Sequence, residues 1–182
     1  METGIKVIPH EIIGCDPDSS EKCQCQKRKS LILFTTFISL ESPLRCGDCF
    51  RTIPLYNIPK TYDDEYYNIL CWESDYQSCD QLQMNCSVGE HFATNQMSKI
   101  DSQLSKQGIK VCSEIAKLTK TPTFYYLYRS SGKSINSERK RTCPSCDSTW
   151  LLKEQIHSRF DFKCNKCKLL SNIAYDIRNN TA

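Results

Sequence analysis

Cys143-Pro-Ser-Cys146 and Cys164-Asn-Lys-Cys167, separated by seventeen residues, decide the reading of this chain. The pattern C-x2-C-x17-C-x2-C falls within the spacing of a tetrahedral four-thiolate zinc site. A C-x-x-C turn aims two sulfurs at one ion. Two such turns on adjacent hairpins close a tetrahedron with metal–sulfur bonds of ~2.3 Å. A closed tetrahedron leaves no position for water, so the expected zinc is structural, and residues 143–182 are expected to form a zinc ribbon. Two redox dithiols are the alternative, but neither pair follows the strand-then-helix context of a thioredoxin-like motif.

Thirteen cysteines in 182 residues exceed what packing alone requires, and the hydrophobic content of 39% is modest. The count is odd, and METGIKVIPHEIIG has no charged-then-apolar secretory pattern. A disulfide framework would need an oxidising compartment. The cysteines therefore read as thiolate ligands, and the expected location is cytoplasmic. The longest apolar run, Leu31–Leu40, is half the ~20 residues of a membrane helix and reads as a buried strand. No membrane partner is expected.

The formal charge of +3 counts every cysteine as neutral. A four-thiolate zinc centre carries a net charge of about −2. Any nucleic-acid contact would therefore depend on a local basic patch, not on net charge.

Along the chain, residues 1–22 read as irregular, 23–129 as an α+β domain with a zinc knuckle, 130–142 as a linker and 143–182 as the ribbon. The expected fold is α+β, a small sheet with two to three helices and a metal-organised unit at each end. Asp75–Cys86 recurs at three and four residues as a helix (Tyr76, Cys79, Leu82, Gln83, Cys86), with Ser87-Val-Gly-Glu90 a capping box after it. Leu104, Gly108, Val111, Cys112, Ile115 and Leu118 make the stripe of a helix over 101–118, capped by Asp101 or Ser102 and stopped by Thr121-Pro122. Thr123–Arg129 is dense in aromatics and reads as a strand.

Cys23-x-Cys25, twenty residues, then Cys46-Gly-Asp-Cys49 forms a second four-thiolate candidate. Gly47 suits a positive φ at a metal knuckle. The spacing leaves open that Cys46 and Cys49 instead join Cys71, Cys79 or Cys86, or bind nothing. Cys79 and Cys86 also read as small buried apolar side chains, and Cys15, Cys71 and Cys112 as unliganded.

Glu41–Cys49, Pro54-Leu-Tyr56, Trp72–Met84, Tyr125–Arg129, Cys143–Cys146, Phe160–Cys164 and Leu169–Asn172 together resemble a family of uncharacterised bacterial proteins described as zinc-ribbon-containing and candidate nucleic-acid-binding. The resemblance covers roughly residues 20–178. It implies that Cys23, Cys25, Cys46 and Cys49 belong to the metal pattern. Family members tend to carry an additional N-terminal domain, which this chain is expected to lack. They often have glycine after the first ribbon pair, where this chain has Asp147. Asp tolerates the left-handed conformation at modest cost.

From Lys133 onward, ten Lys/Arg face five Asp/Glu. Arg139, Lys140 and Arg141 precede the first ribbon pair, and Arg159, Lys163, Lys166 and Lys168 surround the second. These seven are the candidate phosphate contacts. Trp150, Phe160 and Phe162 are candidates for base stacking, weighed against a miniature core over the metal. The expected function is a nucleic-acid-binding module, with DNA and RNA undistinguished. The alternative is a protein-docking module using the ribbon and Tyr125, Tyr126 and Tyr128. His10, His91 and His157 are scattered, no phosphate loop is present and no cysteine has an evident base, so neither an enzyme nor a small-molecule substrate is expected.

Overall fold

The computed structural model describes residues 22–61 and 65–179; the irregular segment expected up to residue 22 lies, but for Lys22, outside them. The chain order is β1 (Leu31–Leu33), β2 (Leu44–Cys46), α1 (Tyr67–Asn85), α2 (Glu90–Ser98), α3 (Gln103–Thr119), β3 (Thr123–Leu127), α4 (Ile135–Arg139), β4 (Leu151–Ile156), β5 (Phe160–Cys164), β6 (Leu169–Ser171) and α5 (Tyr175–Asn179). The fold is α+β, as the sequence implies.

One six-stranded sheet runs β2-β1-β3-β6-β5-β4. β1, β3 and β6 are adjacent and parallel, and the remaining pairings are antiparallel. The ribbon strands extend the sheet through the β3–β6 pairing. The segment read as a linker carries α4, whose Glu138 is 1% exposed and ion-paired to Arg129 and Arg141 at 3.0 Å each.

Strand alternation sends Leu31, Leu33, Tyr125, Leu127 and Leu169 to one face, against Trp72 and Tyr76 of α1 and Val111, Cys112 and Ile115 of α3. Of the two candidate caps, Asp101 and Ser102, it is Ser102 that caps α3, accepting from the Ser105 N–H. Gly108 lets α3 approach closely, since a Cβ there would lie 2.2 Å from Tyr125 Cε2 and 2.6 Å from Trp72 Nε1. Ile32, Phe34, Phe124, Tyr126, Phe160 and Leu170 form a second cluster, joined by Phe50 and Ile156.

Three local expectations are corrected. The strand expected over 31–40 stops at Leu33: the Phe34 N–H still donates to the Pro43 carbonyl at 2.8 Å, but the chain then turns and α1 takes backbone groups at 37 and 39. Asp80 accepts from the Phe37 N–H at 2.8 Å, and Gln77 donates to the Ser39 carbonyl at 2.8 Å. The helix expected from Asp75 begins at Tyr67, and its inner face is Ile69, Trp72, Tyr76 and Asp80. The capping box at Ser87 is absent; α2 is entered from Gly89 at φ 86°, with no side-chain cap.

Candidate metal centres

Among the described residues, two groups of four cysteines bring their Sγ atoms within 4.8 Å of one another: Cys23, Cys25, Cys46, Cys49 and Cys143, Cys146, Cys164, Cys167. Cys71, Cys79, Cys86 and Cys112 lie in neither group, and Cys15 is outside the described residues. A tetrahedron with bonds of ~2.3 Å has edges of ~3.8 Å. Cys23 and Cys49 stand 3.7 Å apart, as do Cys146 and Cys164. The donor set fits a metal ion, and the spacing is far longer than the ~2.0 Å of a disulfide bond.

The knuckles explain the convergence. The N–H groups of Asp48 and Cys49 donate to the Cys46 sulfur, and those of Ser145 and Cys146 donate to Cys143. The Cys167 N–H donates to Cys164 Sγ at 3.3 Å. After each C-x-x-C pair the next residue is left-handed: Phe50 at φ 60°, Asp147 at φ 55° and Lys168 at φ 56°. Asp147 thus occupies the conformation expected of it. Gly47 is not at positive φ, contrary to expectation. It is required by close approach, since a Cβ there would meet Ser30 Oγ at 2.0 Å and the Ser30 carbonyl oxygen at 2.9 Å.

Without metal the thiols of one tetrad differ sharply. Burial pushes Cys143 up to about 12, whereas the Ser148 hydroxyl, 3.0 Å away, and the Ser148 N–H pull Cys146 down to about 6. Burial pushes Cys46 up to about 11. Cys23 falls to about 7, because Arg28 and neighbouring donors outweigh its burial. A metal that takes all four sulfurs must displace protons from the high-pKa members. Arg28 and Ser148 escaped the sequence reading, although both lie within three residues of a ligand.

The seven basic candidates divide by exposure. Arg139, Lys140, Lys166 and Lys168 are exposed, although the Lys168 ammonium also lies 5.6 Å from the centroid of Phe124. Arg141 pairs with Glu138, donates to the Asn172 carbonyl at 2.8 Å and lies 4.5 Å from the centroid of Phe162. Arg159 lies over Phe34 at 5.0 Å, and Lys163 lies over Phe124 at 4.6 Å. Trp150, Phe160 and Phe162 are buried and present no face for stacking. Of the three tyrosines considered for docking, Tyr125 and Tyr126 are buried in β3, and Tyr128, just past the strand, is half-buried. Helix α1, 19 residues long, is too polar to cross a membrane, and no other described helix qualifies.

Fold and site define an α+β protein with two cysteine tetrads able to hold metal ions. Residues 25–128 match the family described as Domain of unknown function (DUF2310), and residues 132–177 match Domain of unknown function (DUF8594). The chain belongs to the DUF2310 family. Two proteins of Haemophilus influenzae, each described as "Uncharacterized protein", are 39% identical over 167 residues, 92% of this chain. The matched region makes up 82% of one relative and 64% of the other, so the chain spans less than two thirds of the second. No solved structure matches.

Proposed function

We propose that both tetrads hold zinc as a structural ion and that the chain is a non-catalytic, cytoplasmic nucleic-acid-binding module. All-thiolate tetrahedral donors favour zinc, with iron as the competing tetrahedral occupant. Each tetrad spends its four donors on closure, which supports a structural role. The bound ion would supply folding free energy and hold the knuckles together.

The observation that carries the nucleic-acid reading is the exposed subset of the basic residues. Arg139, Lys140, Lys166 and Lys168 stand free of ion pairs among the described residues, beside the C-terminal tetrad. Arg141, Arg159 and Lys163 serve packing. The test is binding of zinc-loaded protein to labelled single- and double-stranded DNA and RNA, by fluorescence anisotropy over a salt series. Affinity whose logarithm falls linearly with log salt supports the reading, and absence of binding at low salt refutes it.

Protein docking is the second reading, now centred on the Leu40 loop. Leu40 is fully exposed, Ile38 and Leu70 are about half exposed, and Leu40 and Leu70 line a shallow groove with Pro43, Leu55 and Glu73.

A further inference from the structure

Each of the three parallel strands is entered from a basic segment. Lys27, Arg28 and Lys29 precede β1; Lys117 and Lys120 precede β3; Lys166 and Lys168 precede β6. Because β1, β3 and β6 are adjacent and parallel, their N-terminal ends lie at one end of the sheet. Adjacent strands stand ~4.8 Å apart, so the outer two basic segments are entered ~10 Å apart, with the β3 segment between them. The chain joins these segments only through folding, since 138 residues separate Lys27 from Lys166.

Lys27, Lys29, Lys117, Lys120, Lys166 and Lys168 are exposed, and no ion pair engages them among the described residues. No acidic residue falls in 26–30, 117–122 or 165–168. Asp48 is the carboxylate of the first knuckle, and it accepts from the Lys29 N–H at 2.8 Å. Arg28 is directed inward, to the Cys23 sulfur. Two metal-loaded tetrads of net charge about −2 each flank this end, and six lysines exceed that charge. A surplus of lysines free of ion pairs along one edge, of which Lys168 also lies over Phe124 at 5.6 Å, matches the regular charge of a phosphate backbone.

We infer that the nucleic-acid contact is a continuous lysine rim along the N-terminal ends of β1, β3 and β6, reaching from the N-terminal knuckle to the C-terminal one. The inference rests on the nucleic-acid reading and extends its contact surface beyond the ribbon, to Lys27, Lys29, Lys117 and Lys120. A phosphate backbone laid across the rim would bridge both metal-organised units, which gives the single sheet joining them a functional role.

The experiment compares three paired variants of the zinc-loaded full chain: Lys27→Ala with Lys29→Ala, Lys117→Ala with Lys120→Ala, and Lys166→Ala with Lys168→Ala. Each is titrated with a labelled 20-nucleotide single strand and the corresponding duplex over a salt series. Circular dichroism and metal content serve as controls for folding. The rim predicts that every pair lowers the slope of log K against log salt, by about 1.4 for the single strand and about 1.8 for the duplex. Loss confined to the 166/168 pair, or to a fourth variant outside the rim, Arg139→Ala with Lys140→Ala, overturns the rim while leaving ribbon-borne binding intact. Wild-type protein that binds anionic vesicles but neither nucleic acid overturns the rim and the nucleic-acid reading together. A wild type that binds none of these does the same.

Discussion

His157 Nε2 lies 3.0 Å from the carbonyl oxygen of Gly47, joining the tip of the β4–β5 hairpin to the first cysteine knuckle. The carbonyl only accepts, so the ring carries a proton on Nε2 and donates it. The same imidazole stacks on Phe50, with centroids 5.0 Å apart. His157 and Ser158 are both left-handed, at φ 53° and 50°, which folds the hairpin tip back. The two metal-organised units are therefore packed against each other as well as joined through the sheet.

Replacing His157 with Asn keeps tolerance for the left-handed backbone but removes the stacked ring. The expected loss is about 1–2 kcal/mol, from one hydrogen bond and one aromatic contact. Chelator competition should also strip the N-terminal tetrad faster in this variant. Unchanged denaturation and unchanged release would mean that the hairpin tip contributes nothing to the knuckle.

Gly108→Ala should invert the usual helix rule. An alanine in a helix interior ordinarily gains up to about 1 kcal/mol over glycine. Here the new methyl would meet two buried aromatic rings, those of Tyr125 and Trp72. Overpacking of this kind costs about 1–3 kcal/mol, so the variant should be less stable in urea denaturation. A more stable variant would show that α3 can shift away from the sheet.

Glu138→Ala should cost about 3 kcal/mol, because it leaves Arg141 half-buried without its charge partner. It also removes the carboxylate that accepts from the Ala174 N–H at 3.1 Å. Thermal denaturation checks this, and a loss below about 1 kcal/mol would place the pair among ordinary surface bridges.

Glu73 carries the pH prediction. Burial lifts its carboxyl from 4.5 to about 7, against the pull of the Arg45 charge. The folded state then binds more protons than the unfolded state between those two values. Its contribution to stability is full below about 4.5 and is lost as pH rises through about 7. The advantage of Glu73→Gln over the parent should therefore widen between pH 4.5 and 7.5 and level off above. Metal effects are common to both proteins and cancel in the difference. A melting-temperature gap that stays constant with pH would contradict the assignment.

What the sequence made legible was local. The C-terminal tetrad and helix α3 rest on spacing within twenty-five residues and strand β3 on a local run of aromatics; all three are present, with β3 ending at Leu127 rather than Arg129. The Leu31–Leu40 run was over-read because Asp80 and Gln77, some forty residues away, capture its second half. The basic residues of the ribbon were indistinguishable in sequence. Only the fold separates Arg141 and Arg159, laid on aromatic rings, from Arg139, Lys140 and Lys166 in solvent. The Lys27-Arg28-Lys29 run beside Cys25 carries the same signal as Arg139-Lys140-Arg141. Its alignment with the second knuckle depends on the parallel β1–β3–β6 pairing, which no local pattern encodes.

The most direct test of the account is the zinc content of the purified chain by native mass spectrometry, beside Cys164→Ser and Cys46→Ser. The account predicts two zinc ions in the parent and one in each variant, with the C-terminal hairpin unfolded in Cys164→Ser and the N-terminal knuckle released in Cys46→Ser. Two zinc ions retained in either variant, or a metal-free parent carrying disulfides in place of zinc, would contradict it.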